Sequence, residues 1–147
     1  MKALLQFKQY HVLESHYKSN PFFEGNIVQE TSYNIFFRLD INQQDNNEAA
    51  IRLGINLGDE SLSNYAIYVK VEIYGLFRLE TTEHISEEQR ESFFKINGVA
   101  ILFPYLRSLV SDLTSKGSMF PVILPTMNIT AMIAELEAKN QNAEKPE

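Results

Sequence analysis

The sequence predicts an α+β fold in which an antiparallel sheet comes first and helices follow. Three observations carry that prediction. Between residues 33 and 80, three segments alternate apolar and polar side chains with a period of two, as strands do when one face is buried and the other is wet. The loops between them, residues 43–47 and 58–64, are short and polar, which suits antiparallel neighbours rather than long crossovers. After Thr81 the apolar residues recur every three or four positions, the period of a helix.

The first segment, residues 4–17, alternates but changes phase. Leu5 and Phe7 share one parity, Tyr10 and Val12 the other, so the strand requires a bulge or bend, with residues 14–18 as its polar end. Residues 19–32 carry the turn formers Asn20-Pro21 and Gly25-Asn26 around Phe22 and Phe23, and read as an ordered connection. In residues 33–42 every odd position is apolar, Tyr33, Ile35, Phe37, Leu39 and Ile41, and among the even positions only Phe36 breaks the polar face. Ala49, Ile51, Leu53, Ile55 and Leu57 repeat the pattern. The longest run, residues 65–80, places Ile67, Val69, Val71, Ile73, Phe77 and Leu79 on one side, with Gly75 expected to bend or weaken its ladder.

The helical part opens on Ser86-Glu87-Glu88-Gln89, the spacing of a capping box, and predicts a short helix to about Phe94. Val99, Leu102, Phe103, Leu106, Leu109, Val110 and Leu113 then form a broad apolar stripe. Pro104 lies inside it and predicts a kink or a fresh start; Gly117 is placed to close it as a left-handed cap. Residues 119–127 are apolar and extended by their prolines. Thr126 or Asn128 would cap a last helix bearing Ile129, Met132, Ile133 and Leu136, and the polar residues 140–147 are expected to be a disordered tail after a single domain over 1–139.

A chain of 147 residues is long enough to bury a core without a staple, and it contains no cysteine, which removes disulfides, thiolate metal sites and cysteine nucleophiles. Thirteen Lys and Arg against nineteen Asp and Glu give a net charge of −6, unfavourable for nucleic acid or an anionic membrane. Residues 1–11 lack the apolar core of a secretory signal, and no stretch approaches the roughly 20 apolar residues of a membrane span, so a cytoplasmic location is expected. His11, His16 and His84 are too scattered for a metal site, and neither the acid pairs Asp59-Glu60 and Glu87-Glu88 nor any nucleophile or phosphate-loop motif supports catalysis. No cofactor is expected. Asn128-Ile129-Thr130 matches a glycosylation sequon but reads better as a cap. Met119, Met127 and Met132 with Phe120 suit either a core or an adaptable apolar surface.

Ile101-Leu102-Phe103-Pro104-Tyr105 with Arg107, then Gly117, Phe120-Pro121 and Asn128, together with Gly75-Leu76-Phe77 upstream, resemble the bacterial protein-export chaperone family SecB over nearly the whole chain. The resemblance implies a four-stranded antiparallel sheet with C-terminal helices packed on one face, in a dimer of dimers whose long helices are buried between sheets. It implies no enzymatic activity. The family is a nucleotide-independent holdase that binds unfolded precursors in hydrophobic grooves and delivers them to the translocase ATPase SecA through an acidic sheet surface. By position, the groove would be Phe37, Leu39, Ile41, Met127, Ile129, Met132, Ile133 and Leu136. The SecA patch would be Glu14, Leu57, Asp59 and Glu60, and the oligomer interface would use Leu102, Tyr105, Leu106 and Leu109. Some relatives instead attend one antitoxin of a toxin–antitoxin pair, a dedicated role the resemblance leaves open.

Overall fold

The computed structural model describes residues 3–24, 33–117 and 121–144. Four strands, β1 (Ala3–Ser19), β2 (Tyr33–Ile41), β3 (Glu48–Gly58) and β4 (Ile67–Thr81), precede two helices, α1 (Glu87–Gly117) and α2 (Ile129–Glu144). The sheet order is β1-β4-β3-β2 and every pairing is antiparallel, so β3 and β4 are central and β1 and β2 are the edges. The α+β class and the four strands stand as expected.

Alternation becomes burial most completely in the centre. Ile51, Leu53, Ile55 and Leu57 on β3, with Val69, Val71, Ile73 and Phe77 on β4, are fully covered. Helix α1 lays Phe94, Val99, Leu102 and Leu106 on the same face. Each such apolar side chain contributes about 1.5–3 kcal/mol relative to exposure. The phase change read in the first strand is two register shifts, between Phe7 and Gln9 and between Val12 and Glu14.

Several expectations need correction. Gly75 does not interrupt β4, which pairs through it with Tyr10 on one side and Ile51 on the other. The glycine serves packing: a Cβ there would run into the Phe77 ring and Leu102 of α1. The helix expected to stop near Phe94 continues without a break to Gly117. The Asn97 side chain donates back to the Phe93 carbonyl at 3.0 Å, and at Gly98 a Cβ would strike Ile51, so this Asn-Gly pair marks close helix-to-sheet contact rather than a turn. Pro104 sits mid-helix on the exposed side. It leaves the Ala100 carbonyl without its helical donor, and Ala100 is itself exposed, so water can satisfy that oxygen. Gly117 ends α1, but the place of its missing side chain is taken by the Tyr17 ring; among the described residues the glycine with positive φ is Gly58, at 82°.

The expectation for the C-terminal residues also changes. Helix α2 extends to Glu144, past the predicted end at 139, because no proline intervenes before Pro146 and alanines recur through the segment. Residues 145–147, the Gly25-Asn26 turn, Met119 and Phe120 lie outside the described residues. The capping box forms as read, with Gln89 N–H donating to Ser86 Oγ at 3.1 Å and Ser86 N–H to Gln89 Oε1 at 3.0 Å. Asn128 caps α2 by accepting from Ala131 N–H at 3.1 Å.

By length and composition α1 also passes for a bilayer span, with a mean hydropathy of 1.3 over eighteen residues, contrary to the sequence expectation. In this fold its apolar stripe lies on the sheet, and an Arg107 N–H donates to the Leu124 carbonyl at 2.9 Å. That bond, with Val122 N–H donating to Thr114 Oγ1 at 2.7 Å, ties the extended strap ahead of α2 to α1 and buries Leu124 beneath it.

Candidate functional site

The incomplete part of the core lies at the β2 edge. Ile35 is buried, but Phe37, Leu39 and Ile41, on the same inner face, are only half-covered. Their phase is held by β3: the register is unbroken over all nine residues of β2. Phe36, the apolar residue on the otherwise polar face, explains itself here. Its ring fills the space over Gly54 on β3, where any side chain would collide with it, and so pins the edge strand in place.

Helix α2 runs beside this edge and a cavity of about 300 Å³ separates the two. Tyr33 and Ile35 form one wall; Met127, Met132 and Leu136 form the other, with Lys139 and Glu135 at the rim. Of the eight groove residues inferred by resemblance, Met127, Met132 and Leu136 therefore meet in this cavity. Phe37, Leu39 and Ile41 continue the same apolar strip along β2. Ile129 is half-buried, and Ile133 turns to the opposite side of α2, where it lines a second cavity of about 360 Å³ against Ile96 of α1. That second valley was not foreseen from sequence, because the α1 residues involved fall outside the apolar stripe. Lys95 spans it: burial works against its charge, but ion pairs to Glu137 at 2.6 Å and Glu91 at 2.8 Å outweigh that and raise its pKa.

The proposed SecA patch divides. Leu57 is fully buried on the inner face, so its side chain belongs to the core. Asp59 and Glu60 occupy the β3–β4 turn, with Asp59 held below the usual carboxylate range by the Ser61 hydroxyl and backbone N–H. Lys18 reaches over that turn, 3.8 Å from Glu60. Glu14 lies on the outer face of β1. Burial opposes its charge, but His16 at 2.7 Å and Lys70 at 3.4 Å prevail and keep its pKa low.

That outer face is not acidic. Register places Glu14, Asp40, Glu48, Glu72 and Glu80 on it, and with them Lys18, Arg38, Arg52, Lys70 and Arg78. The signs are matched in contact: Arg52 to Glu72 at 2.8 Å, Arg38 to Asp40 at 3.2 Å, and Arg78 to Glu48 at 3.3 Å. The chain's excess negative charge is carried elsewhere.

The four interface residues also separate. Leu102 and Leu106 are fully buried against the protomer's own sheet, whereas Leu109 is half-buried and Tyr105 is 43% exposed. Tyr105 stands over Tyr10 and Phe7, with ring centroids 4.8 and 5.7 Å away, and Phe7 stacks on Phe77 at 5.1 Å. His11 and His16 sit on the outer face of β1, and among the described residues no group of His, Cys, Asp or Glu is gathered as a metal would require.

An open antiparallel sheet, one long helix on its inner face and a second helix leaving an apolar trough beside the edge strand define an α+β protomer of the SecB-like class. The model of the family described as preprotein translocase subunit SecB matches residues 15–140, and the chain belongs to the SecB family. It is 33% identical over 99% of its length to an uncharacterized protein of Methanocaldococcus jannaschii, covering 94% of that protein. With the protein-export protein SecB of Anaplasma phagocytophilum it shares 30% identity over 67% of this chain and 61% of the relative. The fold matches that of a Mycobacterium tuberculosis SecB-like chaperone, solved in complex with a ChAD peptide from the HigA1 antitoxin. The TM-score is 0.62 and the identity 18%, covering 84% of this chain and 91% of that one.

Proposed function

We propose that this protein is an ATP-independent holdase whose client groove runs along β2 and under α2, lined by Phe37, Leu39, Ile41, Met127, Ile129, Met132 and Leu136. Ile133 contributes from the neighbouring valley. The half-covered apolar strip of β2, in line with the cavity that Tyr33 and Ile35 form beside α2, is the observation that carries this reading. Half-covered side chains are already desolvated in part and held in place, so an incoming apolar segment gains about 25 cal/mol for each Å² it removes from water without first ordering the site. Methionines at 127 and 132 suit a groove that must accept varied sequences, since the thioether repacks easily.

In this reading the protein works in the cytoplasm as a tetramer, a dimer of dimers, and the exposed α1 ridge of Ala100, Pro104, Tyr105 and Ser108 is where protomers meet. Delivery to SecA is one destination for the client. The charge-matched outer face is a poor match to an acidic docking surface, which favours a second destination, the dedicated care of one partner such as an antitoxin. The antitoxin peptide bound by the mycobacterial protein of like fold supports that alternative.

Purified protein should suppress aggregation of a reduced, unfolding client at stoichiometric ratio; absence of suppression with generic clients and with any co-purifying partner would end the holdase reading. A pull-down dominated by one companion would favour the dedicated role, and a broad precursor spectrum would favour export.

A further inference from the structure

The two edges of the sheet are built differently. β1 carries two bulges, a common means of spoiling an edge for further pairing, whereas β2 runs regular for nine residues with no proline. The direction of its backbone groups can be read from one bond. Asn42 N–H donates to the Glu48 carbonyl at 2.9 Å, one step beyond the Ile41–Ala49 pair. Bonding positions in an antiparallel ladder alternate, so the even residues of β2 turn their N–H and C=O toward β3. The odd residues, Ile35, Phe37, Leu39 and Ile41, turn theirs to the open edge. Among the described residues no backbone bond from outside the sheet meets these four. Their side chains are the same ones that form the apolar strip on the inner face.

We propose that β2 takes up an extended client segment as a fifth strand, pairing backbone to backbone through Ile35, Phe37, Leu39 and Ile41 while their side chains pack against the client's alternate apolar residues. The proposal rests on the holdase reading and adds the chemistry of recognition to it. The cavity between Tyr33–Ile35 and α2 opens directly onto this edge, leaving a slot with the strand on one side and the helix on the other. Such a slot admits a single extended chain. A second copy would bring its own sheet and its own α2, more than a gap of about 300 Å³ beside Tyr33 and Ile35 can take. Arg38 and Asp40, which flank the pairing residues on the outer face, are bonded to each other at 3.2 Å and do not guard the edge.

Backbone pairing explains how one groove can accept many sequences: the ladder reads no side chains, and the apolar strip asks only for alternation. The favoured client segment is extended, free of proline, and apolar at every second residue. A folded helix is excluded because its amides are already bonded.

The test uses the full-length protein and a fluorescein-labelled nine-residue peptide alternating valine with threonine or lysine, measured by fluorescence anisotropy. Two variants carry N-methyl groups, one on alternate valines and one on alternate polar residues. Only one phase faces β2, so one variant should bind about tenfold or more weakly than the parent while the other stays close to it. Loss in the valine-methylated peptide means antiparallel addition; loss in the other means parallel addition, and either supports the proposal. Equal retention by both would overturn it while leaving side-chain capture, and so the holdase reading, intact. Equal loss by both would also overturn it. Failure of the unmodified peptide to bind would overturn the proposal, with the holdase reading decided separately by aggregation suppression, and a native mass that falls as peptide binds would overturn it too, by showing that a second copy had held the edge.

Discussion

The centre of the sheet and its β2 flank obey the same alternation in sequence and end in different states. On β3 and β4 the inward residues are fully covered, because α1 lies across them and brings Gly98 close enough to touch Ile51. On β2 the inward residues beyond Ile35 are only half-covered, because α1 barely reaches this edge strand and α2 comes alongside it only near Tyr33 and Ile35. Apolar patterning therefore marks which residues turn inward, while the placement of the helices decides whether they become core or stay an open apolar surface. Substitutions in the two regions should separate stability from binding.

The largest effect belongs to the centre. Leu53→Ala or Phe77→Ala removes a fully buried side chain from a packed layer and should cost about 2–5 kcal/mol of stability, with client affinity per folded molecule unchanged. Denaturant unfolding and titration of the folded fraction with the labelled peptide measure the two quantities separately. A variant that lost affinity while keeping its unfolding midpoint would erase the division between centre and flank.

The flank should behave the other way. Leu39→Ser with Ile41→Ser leaves the β2–β3 ladder in place and replaces two half-covered side chains, so stability should fall by only about 1–2 kcal/mol while client affinity falls roughly tenfold. Unfolding of the double variant under conditions where the parent is folded would mean that these residues are core after all.

How much of this was legible in sequence follows the same line. Strands β2 to β4 were readable because one face of each is buried and the other wet, and the helix caps at Ser86 and Asn128 because capping is local chemistry. The continuity of α1 was not, since Asn97-Gly98 looks like a stop until Ile51 is seen beneath it. Phe36 was visible as an exception, but its reason lies in Gly54 across the strand. The candidate groove was legible as a set of inward apolar residues. Their division into buried Leu57 and half-covered Leu39 depends on tertiary placement that no local pattern carries.

Between the two regions stands the Lys95 bridge, which joins α1 to α2 through Glu137 and so helps fix the width of the trough. Lys95→Met should change global stability by less than about 1 kcal/mol, because the pair is partly exposed and the methionine keeps its apolar stem in place. Amide exchange in α2 should nevertheless quicken relative to α1. Equal exchange in parent and variant would mean that packing through Met132 and Ile133 alone holds α2.

The smallest effect lies on the outer face, away from both the core and the trough. Glu14 has its pKa lowered by His16 and Lys70, so it favours the folded state at neutral pH, and that contribution is lost as the pH falls through the folded-state value below 4.5. Glu14→Gln should therefore unfold at a slightly lower temperature than the parent near pH 7, and the gap should close in acid, where the parent carboxylate is also neutral. Client affinity at pH 7 should not change, because Glu14 and the inward residues of β2 occupy opposite faces of the sheet. A gap that persisted at low pH would assign the difference to packing of the side chain rather than to its charge, and a change in client affinity would connect the two faces.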